Sequence, residues 1–282
     1  MDYFNTFRVK PGSKVALDEV DASYKGAHET HAAALPEIEA CRQKIRDLQY
    51  RLYAEKKHAL LICLQGRDAA GKDGTINHVL SAMNPQGCTV TGFKVPTKEE
   101  SAHDFLWRYH KATPGKGHVA IFNRSHYEDV LVVRVHDLVP ERIWRKRYAH
   151  INAFEALLRD CNTHVLKFYL HISPEEELRR FAARIDTPSR RWKISEGDYA
   201  ERPFWGAYTK AFEAALSACS TEAAPWFVIP ANHKWFRNLA VSRIVCEYLD
   251  ALHMTFPAPS VDIEDIRARY HAAEDRDRHG KG

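Results

Sequence analysis

The chain has 282 residues, 45% of them hydrophobic and 28% charged, with 41 Lys and Arg against 37 Asp and Glu for a formal net charge of +4. This composition excludes a disordered or fibrous chain, and its charge is too mild to nominate nucleic acid as a partner. No apolar run approaches the ~18 residues of a membrane span, the start MDYFNTFRVKPGSK lacks a signal-peptide core, and six cysteines without a C-x-x-C pair fit free thiols in a reducing compartment, so a cytoplasmic protein away from membranes is expected.

Residues 1–30 read as an irregular arm docked through Tyr3, Phe4 and Phe7. From Pro36 to about Lys57, apolar residues Ile38, Cys41, Ile45, Leu48 and Leu52 recur at helical spacing. HALLICLQ is a continuous apolar run, as in a strand buried on both faces. A loop follows, then a helix expected from about Asp73 to Met83. CTVTGFKV reads as a strand, KEESAHDFLWRYHKA as one helix, HVAIFNRS as a buried strand and HYEDVLVVRVH as a helix despite its valines. PERIWRKRYAHINAFEALLRD is a long helix and THVLKFYLHIS a strand. Ser173-Pro174 opens the next helix, with Glu175, Glu176 and Glu177 in its first turn. APWFVIPA and KWFRNLAVSRIVCEYLDAL supply the last strand and the last large helix, and the polar tail 257–282 is expected to fray over AEDRDRHGKG. Five strands alternating with helices predict an α/β fold: one domain over residues 1–282, with a parallel five-stranded sheet flanked by helices.

The stretch LLICLQGRDAAGKDG places a phosphate-binding loop between the first strand and its helix. In the pattern G-x-x-x-x-G-K-[ST], glycines let successive backbone N–H groups point at one phosphate while the lysine neutralises charge. Gly66, Gly71 and Lys72 are in register, with Ala69, Ala70 and Gly74 lining the loop, but Asp73 stands in place of the hydroxyl residue and Thr75 is out of register. Asp68 can bind Mg²⁺, orient an incoming phosphoryl acceptor, or cap nearby N–H groups; Asp73 can equally cap the following helix.

Ligands gather at the carboxyl ends of parallel strands. At the tip of VAIFNRSHYED lie Asn123 and Arg124, with Glu128 and Asp129 a turn later. Arg124 is suited to bridging phosphates through its fork of donors, or to a structural ion pair with Glu128 or Asp129. RRFAARIDTPSRRWK carries Arg179, Arg180, Arg184, Arg190, Arg191 and Lys193 around a Thr187-Pro188-Ser189 break, which suits a mobile basic lid over about 184–200 facing an anionic substrate. Lys234, after the last strand, is a further phosphate candidate.

GRDAAGKDG, FNRSHYED and RIDTPSRRWKIS, in this order, resemble the family 2 polyphosphate kinases over most of the chain, and HYEDVLVVRVH is most similar to the subgroup accepting nucleoside mono- and diphosphates. The resemblance implies a P-loop kinase fold with a helical lid. It also implies Mg²⁺-dependent, reversible transfer from inorganic polyphosphate to AMP and ADP, yielding ADP and ATP, with guanine nucleotides as further acceptors left open. By match to the family motifs, Asp68 would hold metal and orient the acceptor phosphate, and Lys72 would contact the transferred group. Arg124 would be the second-motif arginine, Arg184 and Lys193 the lid residues, with Arg190 beside them, and Glu128 the position tied to monophosphate acceptance. Many relatives carry Asp where this chain has Asn123, which leaves Asp68 and Glu128 as the metal-binding candidates. A homo-oligomer, dimer or tetramer, is expected from apolar faces on the long helices.

Overall fold

The computed structural model of the chain describes residues 1–279. Five parallel strands, β1 Ala59–Gly66, β2 Cys88–Gly92, β3 Val119–Asn123, β4 Thr163–His171 and β5 Trp226–Pro230, form one sheet in the order β2-β3-β1-β4-β5. Every residue of β1 is buried. Leu60, Ile62 and Leu64 pack into one core layer, and Leu61 and Cys63 into another on the opposite face, so the unbroken apolar run follows from a strand covered on both sides. Strand order reverses about β1, whose neighbours β3 and β4 run in register as Leu64↔Asn123 and Gly66↔Leu170. A cleft opens beyond the carboxyl ends of strands at such a switch point.

The N-terminal arm contains a short helix, α1 Tyr3–Phe7, whose Tyr3 and Phe7 are buried. Beyond it Val9 donates its N–H to Trp226 O at 2.8 Å and Arg8 bridges Phe227, covering the outer edge of β5. Helix α2 His31–Glu55 starts a turn earlier than its apolar periodicity suggests, because Thr30 caps it; Pro36 lies inside, where it forgoes one intrahelical bond. After β1 comes α3 Lys72–Leu80. KEESAHDFLWRYHKA is two helices rather than one, α4 Lys98–Ser101 and α5 Trp107–Lys111. Asp104 interrupts them by accepting the Leu106 N–H at 2.9 Å on its side chain. The valine-rich segment is helical as expected, α6 Glu128–Val135, followed by α7 Glu141–Asp160 and, after β4, α8 Pro174–Asp186.

Past α8 the chain forms a 3-10 turn over Pro188–Lys193, a short α9 Glu196–Ala200 and then α10 Trp205–Cys219. Helix α10 is absent from the expected elements, although Ala211, Phe212, Ala215, Leu216 and Cys219 form its buried stripe. The large α11 Lys234–Asp250 packs beside α2. The expected frayed tail is instead a helix, α12 Ile263–His279, begun by Asp262 accepting the Glu264 N–H and laced by Arg269–Asp265 and Arg278–Glu274 pairs at i,i+4; residues 280–282 lie outside the described residues. Among the described residues no helix is long and apolar enough to cross a membrane.

Candidate active site

The loop from β1 to α3 is built around two unusual backbone positions. Ala69 sits at φ 56° and Gly71 at φ 105°. A Cβ on Gly71 would lie 1.8 Å from Arg237 Nη1, so only glycine lets the loop close over that arginine. Arg237 from α11 and Arg180 from α8 hold the loop's carbonyls: Arg180 donates to Ala69 O and Ala70 O at 2.8 Å each, Arg237 to Ala70 O at 3.3 Å. Arg180 is itself oriented by Glu176, at 2.5 Å. Burial and the adjacent Arg180 push the Arg237 guanidinium down to about 9. Gly71→Ala is therefore expected to destabilise the fold by about 1–3 kcal/mol through left-handed strain and displacement of Arg237. Thermal unfolding of the variant checks this, and an unchanged melting temperature would contradict it.

Lys72 turns its ammonium inward, donating to Gly66 O at 2.8 Å and Arg67 O at 3.1 Å. Burial, reinforced by neighbouring Arg124, pushes it down to about 8. Thr75 is fully buried and returns its hydroxyl to Gly71 O, so it stiffens α3 rather than facing the cleft. Ala70 is likewise buried, and Gly74 lies beside the Arg237 fork.

At the tip of β3, Arg124 adopts φ 65° and clasps two carboxylates, Asp68 Oδ1 at 2.9 Å and Glu128 Oε2 at 3.3 Å. Burial would lower the pKa of its guanidinium, but Glu128 and Asp68 outweigh that and raise it. The ion-pair reading of Arg124 holds, with Glu128 and also with Asp68, and backbone strain of this kind concentrates at functional positions. Asp73 does not cap α3, whose N-cap is Gly71 without a side-chain bond. Its carboxylate accepts from Asn123 Nδ2 at 2.9 Å and pairs with Lys193 at 3.5 Å, joining the loop, the strand tip and the segment after α8. Burial pushes that carboxyl up, but the Asn123 bond and Lys193 leave it below its usual value.

Near the end of α8, Arg184 donates to Lys193 O at 3.4 Å. Burial, then Arg180, Arg190 and Arg237, depress the Lys234 ammonium. Arg180, read from the sequence as part of the basic lid run, belongs to the buried support of the loop. Arg237 was not legible as a site residue, nor was Arg67, which stacks on the Trp205 ring at 4.0 Å and donates to Trp205 O and Thr209 Oγ1 at 2.7 Å each, fixing α10 to the loop. The one available signal was the position of Arg67, next to the first loop glycine.

On the Asp68–Arg124 side lies a cavity of about 550 Å³. Asp68, Arg124 and Glu128 form its polar floor, and Phe93, Val132 and Leu138 are among its apolar walls. Glu177, Glu201 and Arg202 also line it, with Arg202 paired to Glu177 at 2.5 Å and Glu201 Oε2 against His136 Nε2 at 2.9 Å.

A parallel sheet whose switch-point strand runs through a glycine-lysine loop into a helix, beside a strand-tip arginine, is a P-loop kinase-like fold. The family model for polyphosphate kinase 2 (PPK2) matches residues 30–257, and the chain belongs to this family. It is 48% identical over 261 residues, 92% of this chain and 98% of the relative, to an AMP/ADP-polyphosphate phosphotransferase of Meiothermus ruber. It is 42% identical to an ADP-polyphosphate phosphotransferase of Rhodopseudomonas palustris, over 89% of this chain and 91% of the relative. The crystal structure of polyphosphate kinase 2 from Arthrobacter aurescens TC1 superposes with a TM-score of 0.93 at 39% identity, covering 96% of this chain and 97% of that one.

Proposed function

We propose that this chain transfers a phosphoryl group from inorganic polyphosphate to AMP and to ADP, reversibly, with Mg²⁺. The observation that carries the reading is the Asp68–Arg124–Glu128 clasp lining a part-apolar cavity of a size suited to one nucleotide. Lys193, held at 3.5 Å by Asp73, and the basic residues Arg190 and Lys234 supply cations for a polyanion. The names of the relatives agree with this reading.

Phosphoryl transfer needs in-line placement and neutralised equatorial oxygens more than covalent chemistry. Lys72 meets the transferred group at the head of α3, where the helix N-terminus adds its own positive end. Arg124 bridges acceptor and donor phosphates while Asp68 and Glu128 hold its guanidinium. Arg184, Arg190, Lys193 and Lys234 draw in the polyanion, with Asp73 and Asn123 tying the lid base to the strand tip. The donor set fits Mg²⁺: Asp68 and Glu128 offer hard carboxylate oxygens within the span of one guanidinium. Among the described residues no group of three or more such ligands forms a closed cage, and Mg²⁺ typically binds through one or two carboxylates plus substrate phosphates. When bound there, the ion supplies charge neutralisation for the phosphate oxygens.

Purified protein with polyphosphate, Mg²⁺ and either AMP or ADP should yield ADP and ATP by phosphorus NMR; absence of turnover with both acceptors overturns the proposal. The same assay with GMP and GDP defines the base preference. The pH profile follows from Lys72. Its ammonium is charged below a pKa of about 8 and neutral above it, so kcat/KM for polyphosphate should be level below that pH and fall toward about tenfold per unit above it. A profile still level at pH 10 would contradict this role.

A further inference from the structure

Helix α12 has no place in the mechanism and lies beyond residues 30–257, the span that the family model matches. None of its 17 residues is buried, and the exposed segment 255–262 leads into it. A helix of this length with nothing packed against it is marginal in water. Its sequence nevertheless carries a seam: Ile263, Ile266 and Tyr270 are exposed at 46%, 45% and 62%, and with Ala273 they recur at alternating three- and four-residue steps. That is the a/d spacing of a coiled coil, with Ile263 and Tyr270 at a and Ile266 and Ala273 at d. The same register puts Asp262 and Arg269 at g, and Arg267 and Glu274 at e.

We propose that α12 is an interaction surface for a second copy of this chain, pairing with the partner's α12 as a parallel two-stranded coiled coil. The charges decide both the occupant and the direction. In a parallel pair each g residue faces the e residue five positions later on the other helix. Asp262 then meets Arg267 of the partner subunit, and Arg269 meets Glu274 of the partner subunit, in both senses of the twofold. An antiparallel pair would set Arg269 against its own copy. The intrahelical pairs Arg267–Glu264 and Arg269–Asp265 are exposed, and the same arginines exchange them for the cross-helix partners. Apolar closure of the seam covers four positions per helix, so the helix and the association form together.

Cysteine cross-linking on the full chain tests the geometry. In a Cys161→Ser background, which removes the exposed native thiol, Ile266→Cys at a d position should give a disulfide-linked dimer on mild oxidation with diamide. Ala268→Cys, on the outer face of the same helix, should cross-link at least tenfold less. Equal extents, or no covalent dimer from Ile266→Cys, overturn the proposal. Charge reversal supplies the second measurement. Glu274→Arg should raise the dimer dissociation constant at least tenfold by sedimentation, and adding Arg269→Glu should restore it. A dissociation constant that neither substitution moves overturns the parallel pairing, and phosphorylation of AMP should be unaffected throughout.

Discussion

Lys72→Met is expected to lower kcat by about 10³-fold while the protein stays folded. Removing one preorganised donor at developing charge typically costs 10²–10³, and cations placed on a transferring phosphoryl group reach further. Lys72 stands at the head of α3 and, among the described residues, donates to two carbonyls, Gly66 O and Arg67 O, with no ion pair. Its loss therefore breaks no ion pair, and carbonyls at the edge of a cleft are readily met by water. Asp68→Asn tests a different part: it removes the carboxylate that Arg124 holds at 2.9 Å, so both acceptor placement and the dependence on Mg²⁺ concentration should change. Steady-state kinetics in both substrates, with circular dichroism as the folding control, separate the two. A Lys72→Met enzyme within threefold of the parent would refute the assignment of this lysine.

The parts of this site that read directly from the sequence are those made locally. Gly66, Gly71 and Lys72 lie within seven consecutive positions between a strand and a helix, and Asn123, Arg124 and Glu128 follow the next buried strand. Short-range geometry dictates their roles, so spacing is enough. Asp68 and Arg124 are 56 residues apart, and their contact follows only once β1 and β3 are known to be neighbours. The supports under the loop were illegible for a physical reason. Arg180 sits in a run of basic residues that reads as facing an anionic substrate, and Arg237 in the last large helix, yet both turn inward because loop carbonyls there need donors. Thr75 shows the converse, since a hydroxyl near a phosphate loop suggests ligation while the i−4 carbonyl of Gly71 takes it instead. Helix α10 carries a readable apolar stripe, Ala211, Phe212, Ala215, Leu216 and Cys219.

Lys167→Met is expected to destabilise the protein by about 3–5 kcal/mol, the cost of leaving a buried carboxylate without its partner. Lys167 lies in the middle of β4 and is fully buried. Its ammonium donates to Glu155 Oε2 at 2.6 Å, Tyr127 Oη at 2.8 Å and Cys219 O at 2.6 Å. Glu155 also takes His126 Nε2 at 2.9 Å and the Tyr127 hydroxyl at 3.0 Å. Burial pushes the Glu155 carboxyl up, but Lys167 and the His126 bond outweigh it, so the group is held below the usual carboxylate range. With the lysine gone that balance reverses, and the carboxylate must protonate or unfold its surroundings. A loss of that size lowers the melting temperature by roughly 5–10 °C in a chain this long. The double variant Lys167→Met with Glu155→Gln removes both charges and should recover part of the loss, since apolar replacement of a whole buried pair is often close to neutral. The network anchors Ser125-His126-Tyr127 directly after Arg124, so the single variant should also raise KM for the nucleotide at temperatures where it remains folded. A Lys167→Met protein that melts within 1–2 °C of the parent, by about the scale of a surface substitution, would show that the pair contributes little to the fold.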